Sequence, residues 1–125
     1  MAKTETIDGA TLEVLSAQET RDRFDRNEIV LIDVRTPAEF AFEHIKGALL
    51  FPMSSFDAEK LPGQTEKAIV FHCGSGIRSR KVAEACAAAG ITHLAHMDGG
   101  FGAWKSAGLP YLAVDPATGS TVAKP

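Results

Sequence analysis

The chain has 125 residues, enough for one domain to bury a core without disulfides or metals. Its 13 Lys and Arg against 16 Asp and Glu give a formal net charge of -3, which argues against a nucleic-acid binder held by a broad basic face and leaves room only for a local positive pocket. Residues 1–5 open no apolar stretch, so neither a signal peptide nor a membrane span is expected, and the cytoplasm, where thiols stay reduced, is the expected compartment.

Residues 1–10 are polar and residues 115–125 are broken by Pro and Gly, so both ends are expected to be loose and flexible, with the domain at about 11–114. A short strand around Leu12 to Leu15 leads to Ser16, which suits the cap of a helix running to about Arg26. Residues 28–34 form a nearly continuous β-branched run, as in a strand covered on both faces. Thr36 then suits an N-cap and Pro37 the first helical position. Further apolar strands are predicted at 47–51, 68–72 and 93–97. A helix is predicted from about Arg78 to Ala89, stopped by Gly90, and a shorter one from Gly100 to Ala107. Strands alternating with helices predict an α/β fold with a parallel sheet, helices on both faces and the site at the carboxyl ends of the strands.

That is where residues 68–72 deliver Cys73. The order is apolar strand, Cys73, Gly74, Ser75, Gly76, Ile77, Arg78, then helix. Gly74 and Gly76 leave the inner face of the loop open and tolerate positive φ, so successive N–H groups can converge on one centre as an anion nest. The helix start and Arg78 add positive potential. Cysteines in such settings fall from about 8.5 to roughly 3.5–7.5 in pKa. Cys73 is therefore expected to be largely ionised at neutral pH. The other thiol, Cys86, lies in an alanine-rich helical run and reads as a small buried hydrophobe. Two cysteines make no disulfide framework, and no metal or other cofactor is expected.

The loop resembles the active-site pattern Cys-x-x-Gly-x-Arg of the rhodanese, or thiosulfate sulfurtransferase, superfamily, matched by Cys73, Gly76 and Arg78. Leu31-Ile32-Asp33-Val34-Arg35 is similar to the family's first signature strand. Glu39-Phe40, His44-Ile45 and Gly47-Ala48 are similar to the segment after it. Gly99-Gly100, Ala103-Trp104 and Gly108-Leu109-Pro110 are similar to its C-terminal signature. The resemblance spans about Leu12 to Tyr111. It implies a three-layer sandwich with a five-stranded parallel sheet. It also implies double displacement through a Cys73 persulfide, from thiosulfate or a related small anionic donor to cyanide, a thiol or a protein acceptor. Cys73 and Arg78 would carry the catalysis. Gly74, Ser75, Gly76, Ile77 and Ser79 would form the substrate-binding loop.

Two other readings stand beside this one. Cysteine phosphatases use a similar loop with one more residue before the Arg, and the four residues between Cys73 and Arg78 here suit one sulfur better than a phosphoryl group. A persulfide carrier or binding module for a protein partner is the second. Elsewhere, Asp33 and Arg35 end a strand on the active-site side, where Arg35 either adds positive potential or pairs with an acid near the loop, or else the two tie strand to helix as an ion pair. Glu39 reads as structural, as a partner for Arg35. His44 reads as structural too, and His72 should point away from Cys73 by strand alternation. His93 and His96 share no ligand spacing. Phe101 and Trp104 read as core, and Arg80 and Lys81 as solvated helix residues.

Overall fold

Capped helices and β-branched runs alternate along the chain, and the computed structural model, which describes residues 3–124, folds them in that order. The elements are β1 (Lys3–Ile7), β2 (Ala10–Leu15), α1 (Ala17–Asp25), β3 (Ile29–Asp33), α2 (Pro37–Phe42), β4 (Glu43–His44), β5 (Leu49–Leu50), β6 (Ala68–His72), α3 (Ile77–Ala88), β7 (His93–Met97), α4 (Gly100–Ser106), β8 (Tyr111–Val114) and β9 (Thr121–Lys124). Ser16 and Thr36 each close a capping box with the glutamate three residues on, Glu19 and Glu39. Pro37 occupies the first helical turn of α2.

The main sheet has the order β1-β2-β7-β6-β3-β5. The strands from β2 to β5 in that order are parallel, which meets the expectation of a five-stranded parallel sheet. β1 adds an antiparallel edge to it. β4, β8 and β9 form a separate antiparallel sheet. Where they are described, both ends thus carry a strand paired with the domain. Asp8 and Gly9, both at positive φ (46° and 79°), make the two-residue hairpin turn that folds β1 onto β2. Gly119 at φ 73° helps return β9 onto β8. An Asp-Gly pair is a hairpin signal, but polarity of the flanking residues masks it.

Side chains alternate across the sheet. Leu12, Val14, Ile32, Val34, Ile69, Phe71 and Cys73 pack with Val82, Ala83 and Cys86 of α3. Leu15, Ile29, Leu31, Val70, Ala95 and Met97 pack with Ala17 of α1 and with Phe101 and Trp104 of α4. The helices therefore cover opposite faces, and β6 runs through the middle with its last residue one step from Cys73.

Trp104 is fully buried, and its indole N–H donates to the Pro110 carbonyl at 2.8 Å. Trp104→Ala should cost about 3–5 kcal/mol of stability, read as a lowered denaturant midpoint.

Candidate active site

The loop after β6 is held from two sides. On its inner side the Gly76 N–H donates to Cys73 Sγ at 3.0 Å. Gly76 sits at φ 103°, a left-handed conformation that starts α3 and that a side chain would strain. On the outer side, the first turn of α4 meets the loop's carbonyls: the Phe101 N–H donates to the Cys73 carbonyl at 2.7 Å, and the Gly102 N–H to the Gly74 carbonyl at 3.0 Å. With its carbonyls turned outward, the loop turns N–H groups inward. Gly100 permits this approach. Its φ is 58°, and a Cβ there would run into the Cys73 carbonyl and lie 2.7 Å from the Gly74 carbonyl carbon.

Cys73 has no exposed surface. Burial pushes its thiol up, but hydrogen bonds from the backbone and hydroxyl of Ser79 and from the backbones of Ser75 and Gly76 outweigh it, and the thiol lies below its ordinary value. Cys86 has burial and no such donors, and is pushed up to about 11. The two thiols thus shift in opposite directions.

Arg78 lies at the loop's end, but it is engaged. Its Nη1 and Nη2 meet Glu39 Oε1 and Oε2 at 2.7 and 3.0 Å. The same carboxylate accepts from the Thr36 N–H. The Arg78 guanidinium, partly offset by burial and helped by Thr36, holds Glu39 at about 2. Glu39 therefore pairs with Arg78, not with Arg35 as expected. Arg35 instead turns back on its own strand: its Nη2 reaches Asp33 Oδ2 at 2.8 Å and the Glu43 carbonyl at 2.7 Å, and its guanidinium stacks 4.6 Å from the Phe101 ring centre. This buried pair ties β3 to the α2–β4 segment.

His72 faces away from the sulfur. Its Nδ1 lies 3.3 Å from the Cys73 carbonyl, and its Nε2 lies 3.6 Å from Asp33 Oδ2 without a hydrogen-bond partner. A carbonyl only accepts, so the proton of neutral His72 belongs on Nδ1. Burial holds its pKa down. His44 Nδ1 contacts the Phe40 carbonyl at 2.8 Å and serves the turn.

Of the loop residues, Ser79 is fully buried beside Sγ, at 3.7 Å. Ser75 is exposed, and Ile77 is 66% exposed and turned to solvent at the rim. Sequence reasoning missed the role of Gly100, the Glu39–Arg78 pair and the placement of His96, whose Nδ1 lies 2.9 Å from Ser79 Oγ. The Gly99-Gly100 pair was the available signal for the first; the others join residues far apart in the chain. Among the described residues no cluster of three or more His, Cys, Asp or Glu could hold a metal, and no helix is long and apolar enough to cross a membrane.

The Rhodanese-like domain family matches residues 16–107. The chain belongs to this family. An uncharacterized protein of Synechocystis sp. is 37% identical over 105 residues, covering 84% of this chain and 54% of that protein, so the chain spans about half of that relative. Thiosulfate sulfurtransferase GlpE of Coxiella burnetii is 29% identical over 92 residues, covering 74% of this chain and 86% of that one. A rhodanese-related protein of Thermoplasma volcanium has the same fold, with a TM-score of 0.69 at 23% identity over 78% of this chain and 95% of that one. At the level of the family, this rhodanese-like domain stands among sulfurtransferases.

Two predictions follow from the loop's geometry. Gly100→Ala should displace the Cys73 carbonyl, costing about 1–3 kcal/mol in a denaturant titration and slowing alkylation of Cys73. The second concerns Glu39, whose pKa is lowered from 4.5 to about 2 on folding. The stability it contributes is full above pH 4.5 and is lost as pH falls toward 2. Glu39→Gln keeps the cap acceptor, so the difference in Tm between wild type and this variant should shrink across that window.

Proposed function

We propose that this rhodanese-like domain transfers sulfane sulfur from thiosulfate or a related small anion to a thiol, through a Cys73 persulfide. The Gly76 N–H at 3.0 Å from a fully buried Sγ is the observation that carries the proposal. The thiolate stabilised this way is the nucleophile. It attacks the outer sulfur of the donor, the donor's S–S bond breaks, and sulfite leaves with the bonding pair. A second nucleophile then takes the outer sulfur from the persulfide, whose S–S bond breaks to restore the Cys73 thiolate. The first step leaves the enzyme as a persulfide and the second restores it, so ping-pong kinetics follow.

Arg78 places the donor's sulfonate at the loop mouth. Since Glu39 neutralises much of its charge, it orients more than it attracts. Ile77, exposed at the rim, gives the acceptor an apolar contact. Four residues between Cys73 and Arg78 form a smaller cradle than a phosphoryl group needs. The amide-lined pocket favours a small anion over nucleic acid or a membrane surface, and two free thiols fit a reducing cytoplasm.

Intact mass spectrometry after thiosulfate treatment tests the reading. One sulfur should add to wild type and to Cys86→Ala, and none to Cys73→Ser. Addition that survives Cys73→Ser would overturn it, as would aryl-phosphate hydrolysis without a persulfide. Arg78→Ala should raise KM for thiosulfate about tenfold or more, the scale of one lost charge-assisted hydrogen bond.

A further inference from the structure

Cys73 is fully buried. A chain of hydrogen-bonding groups leads inward from it. Ser79 Oγ lies 3.7 Å from Cys73 Sγ, 3.2 Å from the Gly76 carbonyl and 2.9 Å from His96 Nδ1. Ser79 is fully buried and His96 is 4% exposed. Ser79 has one hydroxyl proton and three neighbours that can accept it. The Gly76 carbonyl already accepts the Arg80 N–H of the helix at 3.2 Å. A carbonyl can accept a second bond, but His96 Nδ1 at 2.9 Å is the nearer neutral acceptor, so the direction of the hydroxyl is weighed between it and the sulfur.

In the thiol state the bonds run one way: the Cys73 S–H points to Ser79 Oγ, and the Ser79 O–H to a bare His96 Nδ1. In the thiolate state Sγ can only accept. The Ser79 hydroxyl then turns to the sulfur, since a bond to a charged acceptor is the stronger one. This leaves Ser79 Oγ facing His96 Nδ1 at a distance that requires a proton on the nitrogen. We propose that His96 is a positioning residue that acts through Ser79, reversing its Nδ1 from acceptor to donor as Cys73 ionises and carrying the thiol proton away.

The protons balance. The S–H bond breaks and its proton joins Ser79 Oγ, while the former Ser79 hydroxyl proton passes to His96 Nδ1. The products are a thiolate and an imidazolium, which releases its Nε2 proton toward the open cleft that His96 lines. Glu5 of β1, Arg80, Lys81 and Glu84 of α3, and Asp98 after β7 line that cleft with His96. Burial and Arg80 disfavour the imidazolium, while Asp98 and Glu5 favour it, so it is a transient and the neutral ring is the resting form. From the neighbouring strands, Val14 and Phe71 stand opposite His96 and bring no charge.

The inference rests on Cys73 being the reactive thiol of the proposed sulfur transfer, but its test uses no sulfur donor, so either can fail while the other stands. Cys73 ionisation is followed by thiolate absorbance in Cys86→Ala protein, and His96 Nδ1 by nitrogen NMR of the histidine-labelled chain. As pH rises through the Cys73 transition, Nδ1 should gain proton character, the reverse of an ordinary histidine titration. The gain should vanish in Cys73→Ser and in Ser79→Ala. A nitrogen that stays bare on both sides of the transition, or a gain that persists in Cys73→Ser, overturns the proposal. Iodoacetamide alkylation at neutral pH gives a second reading in variants whose folding is checked by thermal melting. His96→Leu should slow it about threefold to tenfold, and His96→Asn, whose amide can both donate and accept, should stay within about twofold of wild type. Wild-type reactivity in a folded His96→Leu protein would also overturn it.

Discussion

The Phe101 N–H that reaches the Cys73 carbonyl at 2.7 Å is the contact on which the rest of the site depends. A loop that aims its N–H groups at one sulfur must aim its carbonyls elsewhere, and buried carbonyls need donors. The first turn of α4 supplies two, to Cys73 and Gly74. That approach requires a bare Cα at Gly100 and a left-handed backbone at both Gly99 and Gly100. α4 is in turn seated by Trp104 and its bond to Pro110. The cysteine loop and the segment 99–110 are thus one mechanical unit.

The electrostatics follow the same economy. Arg78 and Arg35 are both committed to carboxylates, Arg78 to Glu39 and Arg35 to Asp33. What favours the thiolate at close range is a set of backbone N–H groups and one hydroxyl. These are fixed dipoles rather than mobile charges, so their effect falls off quickly with distance and is little screened by salt. The result is a site that stabilises a negative sulfur without advertising a strong positive patch, in a chain whose formal net charge is -3.

The strand pattern at 68–72, the caps at Ser16 and Thr36, and the spacing from Cys73 to Arg78 were legible because each is a local property of the backbone. The hairpin at Asp8-Gly9 was also local but was masked by the polarity of its strand, whose residues are exposed except Ile7. The partner of Glu39 was misread for a different reason. Glu39 lies four residues from Arg35 and far from Arg78 in sequence, yet Arg35 is already held by Asp33 on its own strand. Charge pairing in a fold is decided by which acceptor is nearest in space once the backbone is set.

By itself, the sequence determined the α/β alternation and the placement of Cys73 in a glycine-rich loop between strand and helix, because strand period, helix caps and glycine placement act within a few residues. Only the tertiary structure decided how that loop is held and what it is joined to. The α4 amides, the Glu39 carboxylate and the Ser79–His96 pair reach Cys73 or its loop from other elements. Such contacts exist only after the sheet and helices have packed, because hydrogen bonds and ion pairs depend on distances of about 3 Å in space and not on separation along the chain.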